Sequence, residues 1–151
     1  MKKSSLSYKL LGVLFTALCL SFAGCEGNTD AIEYRNDEVS YAYGETCVER
    51  YLFYEDKGIY ERYIAGQYWG ETLPGMYFGT LYETGEYELS GDGDTKTVTF
   101  RPKKQYDFEK KYLVPLGLTG QVPFIGTLTD TTLTITWEVY NGEVPIKYTR
   151  K

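Results

Sequence analysis

Residues 134 to 148 read Thr134-Ile135-Thr136-Trp137-Glu138-Val139-Tyr140-Asn141-Gly142-Glu143-Val144-Pro145-Ile146-Lys147-Tyr148. Two runs alternate apolar or aromatic residues with polar ones, and Asn141-Gly142 between them supplies the positive φ angles of a type I′ turn. A two-residue loop at that dipeptide predicts that Tyr140 faces Glu143, Val139 faces Val144, Trp137 faces Ile146 and Ile135 faces Tyr148. Six apolar or aromatic side chains then share one side of the hairpin. Thr134, Thr136, Glu138, Pro145 and Lys147 fall on the other. Proline has no amide to donate, so Pro145 belongs at a sheet edge, a bulge or a barrel rim.

The same texture extends upstream to about Tyr41. Short runs rich in Tyr, Thr, Val, Ile and Phe are separated by Gly, Pro, Asp and Asn, and no window sustains a helical repeat. Cys47 to Phe53 reads as a strand. Glu55-Asp56-Lys57-Gly58 and Gly91-Asp92-Gly93-Asp94 read as hairpin loops, the second between Glu86 to Leu89 and Thr95 to Arg101. Further strands are expected at Met76 to Tyr82, Lys111 to Val114 and Ile125 to Leu128. The fold class is therefore all-β: an antiparallel meander of about eight strands, closed into an up-and-down barrel or half-barrel, with a β-sandwich as the alternative. Closure has the advantage of removing exposed edges. Arg101 to Lys111, with five basic residues, is expected to form a short helix or a long loop over one barrel end.

The N-terminus carries a different signal. Lys2, Lys3 and Lys9 precede an apolar run from Leu10 to Phe22, the pattern of a secretory signal peptide and too short to span a bilayer. Phe22-Ala23-Gly24-Cys25 resembles the lipobox of bacterial lipoproteins, with Phe22 in place of the usual Leu. That resemblance implies cleavage after residue 24 and a diacylglycerol, with acyl chains such as palmitate, on Cys25. The expected organisation is a signal peptide at 1–24, a lipidated Cys25 and flexible tether at 25–40, and one β domain at 41–151. The expected address is the bacterial cell envelope, at the outer membrane, held by the lipid.

Three segments carry a second resemblance: Gly85 to Asp92, Thr97 to Phe100 and Leu128 to Ile135 look like the later strands of small lipocalin-like lipoproteins of Bacteroidetes. It covers roughly the second half of the mature chain and implies an antiparallel barrel or half-barrel.

Composition narrows the function. Removing residues 1–24, which hold three lysines and no acid, leaves 127 residues with 13 basic and 21 acidic side chains, a net charge of −8. That length suits one domain, and that charge argues against a nucleic-acid partner. The chain has no histidine, and Cys47 is the only cysteine of the β domain. The commonest general base and zinc ligand are missing, and no internal disulfide is available. Cys47 is expected to be a small buried residue. Asp92-Gly93-Asp94 lacks the later ligands of a calcium loop and reads as a turn. Glu86 and Glu88 share a face, but Tyr87 and Leu89 claim the inner one, so the glutamates are expected to face outward. No catalytic residue, metal or cofactor is expected.

Between Tyr41 and Tyr82 lie nine tyrosines with Phe53, Trp69 and Phe78. Tyr68, Trp69 and Tyr77, in or near glycine- and proline-rich loops, are the candidate ligand-binding residues, since their rings suit stacking on a sugar or a planar apolar molecule. Filling the core of a small sheet is the other reading of such aromatic density. The expected function is non-catalytic binding of a small apolar ligand or glycan through an aromatic barrel mouth, or alternatively docking on another envelope protein.

Overall fold

A computed structural model describes residues 31–40, 45–74, 79–139 and 142–151. They form ten strands: β1 (Ala31–Ser40), β2 (Thr46–Tyr54), β3 (Ile59–Tyr68), β4 (Glu71–Leu73), β5 (Thr80–Ser90), β6 (Lys96–Asp107), β7 (Tyr112–Pro115), β8 (Phe124–Leu128), β9 (Thr132–Val139) and β10 (Gly142–Arg150). Eight of them, β1, β2, β3, β5, β6, β8, β9 and β10, pair in that order, all antiparallel, and β10 returns to β1. The result is a closed, lipocalin-like up-and-down barrel, not a half-barrel or a sandwich. β4 adds to β3 and β7 to β6 at one end.

The alternation that predicts strands also fills the interior. Cys47, Glu49, Tyr51 and Phe53 of β2 are buried, as are Tyr60, Arg62, Ile64 and Tyr68 of β3. Tyr51, Tyr60, Phe100, Leu133, Ile135 and Tyr148, all at 0% exposure, make a packed middle layer that separates the two ends of the barrel. Rings within this layer meet mainly edge-on or tilted, as Tyr51 with Tyr148 (5.1 Å) and Tyr60 with Phe100 (4.9 Å).

Several expectations are corrected. The stretch read as tether, 25–40, contains β1, so Ala31–Ser40 belong to the barrel. A register shift between Asn36 and Val39 breaks the alternation there, and five of these ten residues are Glu, Arg, Asn or Asp, which hides the strand. Arg101 to Lys111 holds no helix: β6 runs on to Asp107 and turns directly into β7. The Asp107 carboxylate closes that turn by accepting from the amides of Glu109 and Lys110.

The C-terminal hairpin forms on the expected face but in a register two residues away. Ile146 pairs with Ile135, Val144 with Trp137 and Gly142 with Val139. Gly142, at φ 127°, enters the ladder instead of lying in the loop. Tyr140 and Asn141 lie outside the described residues. A shift of two preserves the face, so Ile135, Ile146 and Tyr148 are buried as expected. Pro145 is exposed and lies where β10 has left β1, whose ladder with it covers only Thr149 and Arg150.

Candidate functional site

One end of the barrel holds a cavity of about 770 Å³. Its deep part is built from Arg62, Glu83 and Tyr82, its walls from Tyr68, Phe124, Trp137, Pro102 and Gln105, and its rim from Glu45, Trp69, Gly70, Glu138 and the 116–123 connection. That connection joins β7 to β8 and contributes Leu116, Val122 and Pro123. A second cavity, about 320 Å³, lies at the other end among Ile32, Tyr34, Phe53, Tyr87 and Leu128.

A β-bulge shapes the deep part. Arg62 pairs with Glu83 and Tyr63 with Leu81, which leaves Tyr82 as an extra residue on β5. Consecutive Tyr82 and Glu83 are both buried as a result (6% and 4% exposed), where strict alternation would send one of them outward. A second bulge, at Lys103 of β6, restores Gln105 to the interior.

Two charged centres lie there. Arg62 Nη2 donates to Glu49 Oε1 at 2.8 Å, and Tyr148 donates its hydroxyl to Glu49 Oε2 at 2.6 Å. The Cys47 thiol also points at Glu49, 3.9 Å from Oε1. The Arg62 guanidinium faces four rings, Trp137 (5.2 Å), Tyr82 (5.3 Å), Tyr68 (5.6 Å) and Tyr51 (5.8 Å). Glu83 accepts from the Tyr60 hydroxyl at 2.7 Å and from the Gln105 amide at 3.4 Å. Burial, then the charge of Glu83, raises the Tyr60 phenol far above its ordinary range. Burial, then the Tyr68 hydroxyl, does the same to Tyr82 against the opposing pull of Arg62. Burial, then Glu49, pushes the Cys47 thiol up to about 12, so Cys47 is the inert buried residue its sequence context predicts.

Of the sequence candidates, Tyr68 and Trp69 line the cavity together, Tyr68 buried at the end of β3 and Trp69 exposed (73%) in the β3–β4 turn. Their rings meet edge-on at 6.2 Å. Trp69 and Gly70 both take positive φ, 51° and 76°, and the Gly70 amide is fixed by Glu45 Oε1 at 2.7 Å. Tyr77 and Cys25 lie outside the described residues. Glu86 and Glu88 are exposed and pair with Lys103 and Arg101 on the outer face. Residues 91–94 form an exposed turn, and no cluster of three or more metal-ligating side chains occurs among the described residues.

Sequence reading passed over Glu49, Arg62, Glu83 and the aromatic wall at Phe124. A signal was present for two of them: Glu49 lies between Cys47 and Tyr51, and Arg62 between Tyr60 and Ile64, on the inward phase of the alternation.

No family model matches the chain, and neither a curated protein nor a solved structure shows significant similarity to it.

Proposed function

We propose that the chain is a lipid-anchored envelope protein whose non-catalytic barrel binds a small ligand, mainly apolar or a glycan, at its aromatic mouth. The observation that carries this reading is the cavity of about 770 Å³, a size typical of small-molecule sites, with aromatic walls and few polar groups. Trp69 adds support. A bulky residue at positive φ is strained by roughly 1–3 kcal/mol, and such strain is retained mainly where a side chain serves a purpose.

The lipid anchor fits this geometry. Ala31 begins β1 at the end opposite the mouth, where Ile32 and Tyr34 line the smaller cavity. Cys25 precedes Ala31 by six residues, a span of at most roughly 20 Å when extended. A lipid on Cys25 therefore keeps the smaller cavity near the membrane and turns the mouth toward the aqueous side. The lipobox and the barrel together support kinship with the small lipocalin-like lipoproteins.

The chain from residue 26 to 151 contains every strand of the closed barrel and both tryptophans, and both line the cavity. Tryptophan fluorescence of this chain, titrated with lipophilic probes and a panel of glycans, tests the reading. Saturable quenching or a blue shift is expected, and no response to any probe would overturn it. For the anchor, the full chain should take up labelled palmitate and fractionate with membranes, and Cys25→Ser should do neither.

A second reading rests on the outer surface near the mouth. Leu118 (94%), Ile125 (63%) and Tyr112 (59%) are large apolar side chains left exposed, which suits docking on another envelope protein. In-cell photo-crosslinking from position 118 decides it: one discrete adduct supports docking, and none removes it.

A further inference from the structure

The deep end of the cavity is out of electrostatic balance, and that imbalance specifies a ligand. Glu83 and Arg62 line it at 4% and 3% exposure, and Glu49, fully buried, lies behind Arg62. Arg62 is matched by Glu49 in a direct 2.8 Å pair. Among the described residues Glu83 has two neutral donors, the Tyr60 hydroxyl and the Gln105 amide, and no basic group there reaches it within ion-pair distance. Burying a carboxylate without a counter-charge is costly, and two neutral hydrogen bonds offset that cost in part. Glu83 lines the cavity, so a cation entering from the mouth reaches it directly.

The surroundings favour the same sign. Glu45 and Glu138 stand at the rim, so three carboxylates line the cavity against one guanidinium already paired. An anionic head such as a fatty carboxylate would meet net negative charge at the rim and at depth. A cation would pass aromatic rings as well, since Tyr68 and Trp69 line the way in and the aromatic wall continues from Trp137 to Phe124 at 5.0 Å.

Resting on the ligand-binding reading above, we infer that the ligand is an organic cation: an apolar body bearing an amine or quaternary ammonium head that enters head-first and pairs with Glu83. The remaining apolar wall, Leu116, Val122 and Pro123, holds the body.

Three probes with the same chain and different heads test this: decyltrimethylammonium, decanol and decanoate, each titrated against residues 26–151 by tryptophan fluorescence. The expected result is binding of the cation at least tenfold tighter than either other probe, with the preference lost in Glu83→Gln, whose amide oxygen can still accept from Tyr60. The wild-type comparison stands alone if that variant fails to fold. Decanol or decanoate binding as tightly as the cation overturns the inference while leaving the cavity a ligand site. A preference that survives in a folded Glu83→Gln overturns the assignment to Glu83. Silence with all three probes, against a positive response to any other probe or glycan, overturns the cationic class alone. Silence throughout removes both readings.

Discussion

Arg62 and Glu49 form an ion pair, Nη2 to Oε1 2.8 Å, inside a barrel where the two side chains are 3% and 0% exposed. Their Cα atoms are not cross-strand partners: Tyr51 stands opposite Arg62 and Ile64 opposite Glu49, so the pair is diagonal across β2 and β3. Desolvating two charges offsets most of their attraction, so the pair is expected to matter chiefly through what its loss leaves behind.

Arg62→Met should therefore cost about 3–5 kcal/mol, because the fully buried Glu49 side chain loses the guanidinium that pairs with it at 2.8 Å. The double variant Arg62→Met with Glu49→Leu should recover much of that loss. Urea midpoints of the wild type, both singles and the double make the cycle. A double variant as unstable as the sum of the singles would show that the two side chains are not coupled, and would refute this account of the pair.

Backbone approach gives a second expectation. A Cβ on Gly85 would lie 2.2 Å from the Arg101 carbonyl oxygen and 2.9 Å from Pro102 Cα, inside the β5–β6 ladder. Gly85→Ala should cost at least about 3 kcal/mol, since the β6 backbone at Arg101 and Pro102 must move away. Gly70→Ala, with nothing within 4 Å of its Cβ and only its φ of 76° to strain, should cost about 1–2 kcal/mol. Similar thermal shifts for the two would mean that β5 and β6 part easily.

These contrasts mark what was legible in the chain. The barrel was, because Ile135, Ile146 and Tyr148 hold the inward phase whichever even register the hairpin adopts. Strand β1 was not, because a bulge and its charged residues erase the period. Tyr68 and Trp69 could be found as aromatics beside glycine. Glu83 could not, because its depth depends on a bulge at Tyr82 and on Tyr60 and Gln105, which are 23 and 22 residues away. Glu49 and Arg62 were set on the inward phase from the start, but a charged residue on that phase has meaning only once a partner strand brings its counter-charge.

The buried thiol and phenols set the response to alkali. Cys47 is raised from 9.0 to about 12 by burial and then Glu49, and Tyr54 from 10.0 to about 12 by burial and then its hydrogen bond to Glu61; Tyr60 and Tyr82 lie higher still. Between the unfolded and folded values the native chain holds more protons than the unfolded one, so stability must fall as pH rises. It should be intact below about pH 9 and decline progressively toward pH 12. Urea midpoints at intervals across that range test the sign, and a flat profile would refute it. At pH 8 Cys47, the only thiol in residues 26–151, should react with a disulfide reagent only at the rate of unfolding.

Trp69 separates stability from binding. Its φ of 51° in the β3–β4 turn suits asparagine or glycine better than an indole, and its ring is 73% exposed, so the fold gains little from it. Trp69→Asn should stabilise the chain by about 0.5–1 kcal/mol and, on the proposed ligand-binding reading, weaken binding at the mouth. Trp137→Ala should destabilise by about 3 kcal/mol, because that half-buried ring packs on Phe124 at 5.0 Å and faces Arg62 at 5.2 Å. Thermal midpoints and a ligand titration on the same two variants give both readouts. A Trp69→Asn chain that is less stable than wild type would mean that the turn uses the indole for folding, and the strained backbone at Trp69 would then no longer point to a binding role.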